Sequence, residues 1–122
     1  MGVGYILVNQ TRREQVMFLH VAASKAREIA GNPAAAAITA WYLLQNAGDS
    51  IAFVSDTYGE WPFPTGCRDD LHDYVDVTAR LVDDLIKAKV LADHGMEYVD
   101  EDEPETVYIR DLRNVWWPHK PS

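Results

Sequence analysis

Cysteine is almost missing from this chain: among 122 residues, Cys67 is the single thiol. No internal disulfide can form, which excludes a small disulfide-stapled secreted scaffold. Long apolar runs are missing too. The longest, about 34–44, is Ala-rich and falls well short of the roughly 20 residues a membrane-spanning helix needs. No basic segment followed by an apolar run opens the chain, and the Met1-Gly2 start has Ile6 where a myristoylation pattern wants Ser or Thr. These absences lead to the expectation of a cytoplasmic protein with no membrane partner.

Positive charge is scarce. Eleven Lys and Arg stand against nineteen Asp and Glu, giving a net charge of −8. Phosphate affinity depends on Lys and Arg, so no nucleic-acid partner is expected. The one basic doublet, Arg12-Arg13, reads as part of a hairpin turn. The acids are unevenly placed: residues 69–105 hold 13 acidic and 3 basic side chains, while the remainder is close to balanced. Such a half suits a basic protein partner, because opposite charge steers encounter.

Chemical motifs are also lacking. There is no G-x-S-x-G elbow, P-loop or dinucleotide glycine pattern, and Gly2-x-Gly4 precedes a strand instead of following one. Cys67, Asp69, Asp70, His72 and Asp73 crowd together without the paired Cys or His spacing of structural zinc. The acidic run from Asp100 has Pro104 and Glu105 where a calcium loop wants an oxygen ligand and then Gly. No cofactor and no metal are expected.

What is present fits one globular domain, since a 48% hydrophobic chain of this length can bury roughly two thirds of its unfolded surface. Residues 5–8 and 16–21 read as strands joined by a polar hairpin turn at 9–14. Ser24 caps a short helix at 25–30 that Gly31 stops. Asn32-Pro33 then starts a helix over 34–47, ended by Gly48. That helix is apolar nearly all round, which predicts burial on several sides. A third strand follows at 51–55. Asp76 caps a third helix over 77–90, whose apolar face is Val77, Leu81, Val82, Leu85 and Ile86. Asp93-His94-Gly95 reads as a turn, and 97–99 and 106–109 as two further strands. The expected fold is α+β, a single domain with a mainly antiparallel sheet of about five strands and about three helices, in the order β-β-α-α-β-α-β-β. Ile6, Val8, Phe18, Ile51 and Phe53 are expected in its core. The helix and hairpin over 77–109 have a winged-helix outline, but the wing carries acids where DNA needs bases.

Two regions stand out as candidate sites. The loop 56–73 is long for a compact domain and rich in aromatics, which points to an ordered functional loop. Its Trp61-Pro62-Phe63-Pro64 run holds large rings on stiff backbone, and Trp is prominent among binding anchors. The second region is the acidic connector. The first functional reading is therefore a non-enzymatic acidic protein-binding module, such as an immunity or inhibitor protein that neutralises a basic toxin or nuclease. Its contacts would be Tyr58, Trp61, Phe63, Asp100, Glu101, Asp102, Glu103 and Glu105. The alternative is a small enzyme or ligand-binding domain in which Asp56, Glu60 and His72 supply acid/base chemistry at the end of the third strand. A homodimeric structural subunit is the third reading. Trp116-Trp117 near the chain's end raises the same question of core or interface.

Overall fold

The polar segment after Tyr5–Asn9 does close a hairpin. In a computed structural model, which describes residues 4–21, 26–55 and 60–116, β1 (Tyr5–Asn9) pairs antiparallel with β2 (Glu14–Val16), with Leu7 opposite Val16. Asn9 holds the turn: its Oδ1 accepts the Arg12 N–H at 3.1 Å, while its Nδ2 donates to Asp49 at 2.9 Å. The other side of β1 receives β3 (Ile51–Ser55), antiparallel, with Leu7 opposite Phe53. A two-residue strand, β4 (Val75–Asp76), adds to β2 in parallel, so the sheet order is β3-β1-β2-β4.

The second strand is shorter than the 16–21 expectation. The Met17 N–H is taken by the Asp76 carboxylate at 2.9 Å and the Phe18 N–H by Thr78 Oγ1 at 3.1 Å. With both donors diverted to side chains the ladder ends, and Phe18 and His20 turn at positive φ. Asp76 is consequently not the helix cap. It sits at a strand end, accepting from Met17 and from the Thr78 hydroxyl, and α3 runs Thr78–Lys87.

The alternating side chains of β1 serve two cores. On one face Leu7 joins Val16, Phe18, Ile38, Tyr42, Leu81 and Leu85, packed under the helices. These are α1 (Ala26–Gly31), α2 (Pro33–Gln45) and α3. Ser24 and Lys25 lie outside the described residues. Asn32 caps α2 as its sequence implies, its Oδ1 accepting the Ala34 and Ala35 N–H groups. On the opposite face Val8 and Val54 meet Phe63 and Tyr74, so both sides of the sheet are covered.

Two expectations about burial fail. Helix α2 buries only the strip Ala34, Ala35, Ile38 and Tyr42, leaving Leu43 at 42% and Leu44 at 77% exposure. Helix α2 packs against α1, α3 and β6, and none of these covers Leu43 or Leu44. Phe53, expected in the core, is 38% exposed because it lies on the sheet's edge strand.

The last two strands form a separate sheet: β5 (Leu91–Val99) pairs antiparallel with β6 (Tyr108–Asn114). The Asp93-His94-Gly95 segment lies inside β5, as an irregularity in the register and not as a turn. Gly95 takes φ +98° there, a conformation that costs glycine little and other residues much. The fold is thus α+β and mostly antiparallel; the described residues form three α-helices, a 3-10 helix at Arg68–Asp73, and six strands divided between two sheets.

Candidate functional site

The aromatic loop is built as a cover for the sheet. Phe63 is 8% exposed and packs in the second core with Val8, Val54 and Tyr74. Trp61 is half-buried against the same cluster, its ring 5.1 Å from that of Phe63 and tilted by 60°. Trp61 Nε1 and Gln10 Nε2 both donate to the Thr65 carbonyl at 2.7 Å, which ties the loop to the β1–β2 turn. Gly66 follows at φ +80°, and a Cβ there would stand 2.7 Å from Asp70 Oδ2. These two rings, expected as outward anchors, are turned toward the protein's own sheet. The physical reason is the sheet's second apolar face, which needs a cover.

Asp56 and Tyr58 lie outside the described residues. Glu60 is exposed at the start of the cover, and His72 is exposed in the last turn of the 3-10 helix. Cys67 is exposed as well, and its backbone N–H donates to Asp70 at 2.9 Å. Among the described residues, no group of three or more His, Cys, Asp and Glu is placed to hold a metal ion. No described helix is long and apolar enough to cross a membrane.

The β5–β6 ribbon offers a different kind of surface. Its base is anchored: Leu91 is buried in the main core, and the Val115 N–H donates to the Val90 carbonyl. Further out, the His20 ring lies flat on Tyr108 at 3.6 Å between centroids, and the Arg110 N–H donates to the His20 carbonyl at 2.9 Å. The Met17–Val21 departure from β2 therefore grips β6. Strand β5 has no comparable cover. From Asp93 to Val99 every residue is exposed, including Met96 at 56% and Tyr98 at 50%. Val99 and Val107 beside the turn are exposed too.

The acidic connector closes this ribbon. Asp100 organises it, its Oδ1 accepting the N–H groups of Asp102 and Glu103 at 2.8 and 3.0 Å. Those backbone donors, with Glu103 foremost, hold the Asp100 carboxyl below its ordinary value. Glu101, Asp102, Glu103 and Glu105 are left exposed. At the bulge, the Gly95 N–H and then Arg110 likewise lower Asp93, whose Oδ2 is 2.9 Å from Arg110. The apolar members of this surface were missed from sequence. The signal was a glycine flanked by strand-forming residues, which marks a bulge as readily as a turn.

The ribbon presents apolar side chains next to an acidic tip on rigid, internally capped backbone. That arrangement suits contact with a macromolecular surface; it supplies no enclosed acid/base pair. Scans against protein-family models, curated proteins and solved structures give no match to this chain, so its functional reading rests on this geometry.

Proposed function

We propose that this protein is a cytoplasmic acidic binding module that engages a basic protein partner through the β5–β6 ribbon. In its concrete form it is an immunity or inhibitor protein that occludes the basic surface of a toxin or nuclease. The observation that carries the reading is the ribbon itself: Met96, Tyr98, Val99 and Val107 are exposed beside four exposed acids. An isolated two-stranded ribbon gains little from leaving such side chains in water. Acids at the tip accelerate encounter with a basic surface, and apolar contacts behind them slow release. Trp61 and Phe63 then act indirectly, by completing the domain that carries the ribbon.

The test is affinity capture from the native host with three baits: the wild-type chain, the Glu101→Lys/Glu103→Lys variant, and Tyr98→Ala. The expected partner is basic, is retained by the wild type, and is lost at least tenfold by both variants. Capture of an acidic partner, or equal retention by all three baits, would sink the reading.

A further inference from the structure

The β1–β2 turn and the 60–74 segment meet at a polar pocket of about 440 Å³. Gln10, Thr11 and Arg13 line it from the turn, and Thr65, Gly66, Asp70 and Tyr74 from the other side. Hydrogen bonds within the described residues fix its walls. Gln10 Nε2 donates to the Thr65 carbonyl at 2.7 Å, and the Ser50 N–H donates to Thr11 Oγ1 at 2.8 Å. The Cys67 N–H donates to Asp70 Oδ2 at 2.9 Å.

Three groups in this pocket have bonding capacity to spare. Tyr74 is 8% exposed, and its hydroxyl makes no hydrogen bond to a described residue. Among the described residues, Trp41 Nε1 is the buried side-chain polar atom that is both unpaired and sealed from solvent. The Tyr74 oxygen therefore keeps an open surface, and this pocket is where the residue surfaces. Arg13 lies over the Tyr74 ring, its Cζ 5.5 Å from the centroid. Its ion pair with Asp73 is long, at 3.9 Å, between side chains 62% and 77% exposed. A pair of that kind contributes little, so the guanidinium fork can turn to a better-placed carboxylate. Asp70 accepts one backbone N–H and a weak thiol contact at 3.8 Å, both from Cys67, which leaves lone pairs on its carboxylate. Gly66 keeps that carboxylate open, since a Cβ there would stand 2.7 Å from Asp70 Oδ2 and 3.3 Å from Gln10 Nε2.

Charge selects the ligand. One cation and one carboxylate line the same pocket without pairing with each other, because Arg13 turns to Asp73 and Asp70 to Cys67. A simple anion is drawn by Arg13 and repelled by Asp70, and a simple cation meets the reverse. A molecule carrying both charges is favoured at each end. We propose that this pocket binds a small zwitterion of amino-acid size, its carboxylate held by Arg13 and the Tyr74 hydroxyl and its ammonium group by Asp70. Gln10 has a second amide N–H to add beside them. Asp73 stands outside the lining and is screened by solvent. A few polar groups converging on a fixed frame are what a small-molecule site requires. No ribbon residue takes part, so the site is independent of the partner-binding surface.

Isothermal titration calorimetry with glycine, L-alanine and glycylglycine tests this, with acetate and methylammonium as single-charge controls. At least one zwitterion is expected to saturate one site per chain. It should bind about tenfold more tightly than either control, since each control forfeits one charged hydrogen bond. Arg13→Gln and Asp70→Asn are each expected to weaken it about tenfold on the same grounds, the asparagine keeping an acceptor for the Cys67 N–H. Tyr74→Phe retains the buried ring and is expected to weaken binding about fivefold, with the melting temperature unchanged. Glu101→Lys on the ribbon should bind as the wild type does, which separates this proposal from the partner-binding one. Failure of all three zwitterions to saturate overturns the proposal. So does acetate or methylammonium binding as tightly as the best zwitterion, or an affinity that survives Arg13→Gln.

Discussion

Tyr42 shows how a single buried polar atom is accommodated. Its ring is fully buried, and its hydroxyl donates to Glu14 Oε1 at 2.9 Å, while Arg80 pairs with the other carboxylate oxygen at 3.1 Å. Burial, and then the bond to Glu14, push the phenol up to about 12. The sign follows directly. Unfolded chains release this proton near pH 10, whereas the folded protein keeps it until about 12. The folded state therefore loses stability as pH rises through that window. Tyr42→Phe is expected to cost about 1–2 kcal/mol at neutral pH, for one hydrogen bond to a charged acceptor. In urea titrations across pH 9 to 12 the variant should show less of the alkaline loss (wild type declining about one unit either side of pH 11). An unchanged alkaline slope would assign the loss to other tyrosines. Asp49 is the acid-side counterpart. The Asn9 amide, and then Arg12, hold its carboxyl below the ordinary value, so its contribution is present at neutral pH and fades as pH falls through that lowered value.

At the scale of elements, the 60–74 segment is the informative piece. A long loop with rings invites a reading as a recognition surface, but here it forms the third layer of a helix–sheet–loop sandwich. Phe63→Ala removes a buried ring from the second core, for which the expected loss is about 3–5 kcal/mol. Trp61→Ala, with a half-exposed ring and one hydrogen bond, should cost less. Both should leave partner capture per folded molecule unchanged, because the ribbon is a separate sheet. Thermal melts run beside capture would distinguish the roles: full stability with lost capture returns the rings to the interface. The ribbon has its own element-scale dependence on Gly95. Gly95→Val forces a β-branched residue to φ +98°, so register and tip should be disturbed at a cost of about 1–3 kcal/mol. Weakened exchange protection confined to β5 and β6 would report it.

For the whole molecule, the proposed ribbon surface has a physical signature that salt reveals. The ribbon pairs acids with a basic partner, so its capture should weaken as salt rises, through slower association. Capture measured on one preparation in low and high salt tests this. Capture indifferent to salt would mean that the surface has been misassigned.

Local rules settled much of this protein in advance. Asn32-Pro33 marked the start of α2, and the apolar spacing marked the inward face of α3. Each depends on neighbours in sequence alone. Tertiary packing decided the rest. Met17 and Phe18 leave β2 because Asp76 and Thr78, about sixty residues onward, take their N–H groups. Trp61 and Phe63 point inward because the sheet they meet is apolar on both faces. Phe53 is exposed because strand order, which no local pattern encodes, places β3 at the edge. An apolar side chain has the same attraction for its own core and for a partner's surface, and only the arrangement of the whole chain determines which of them it meets.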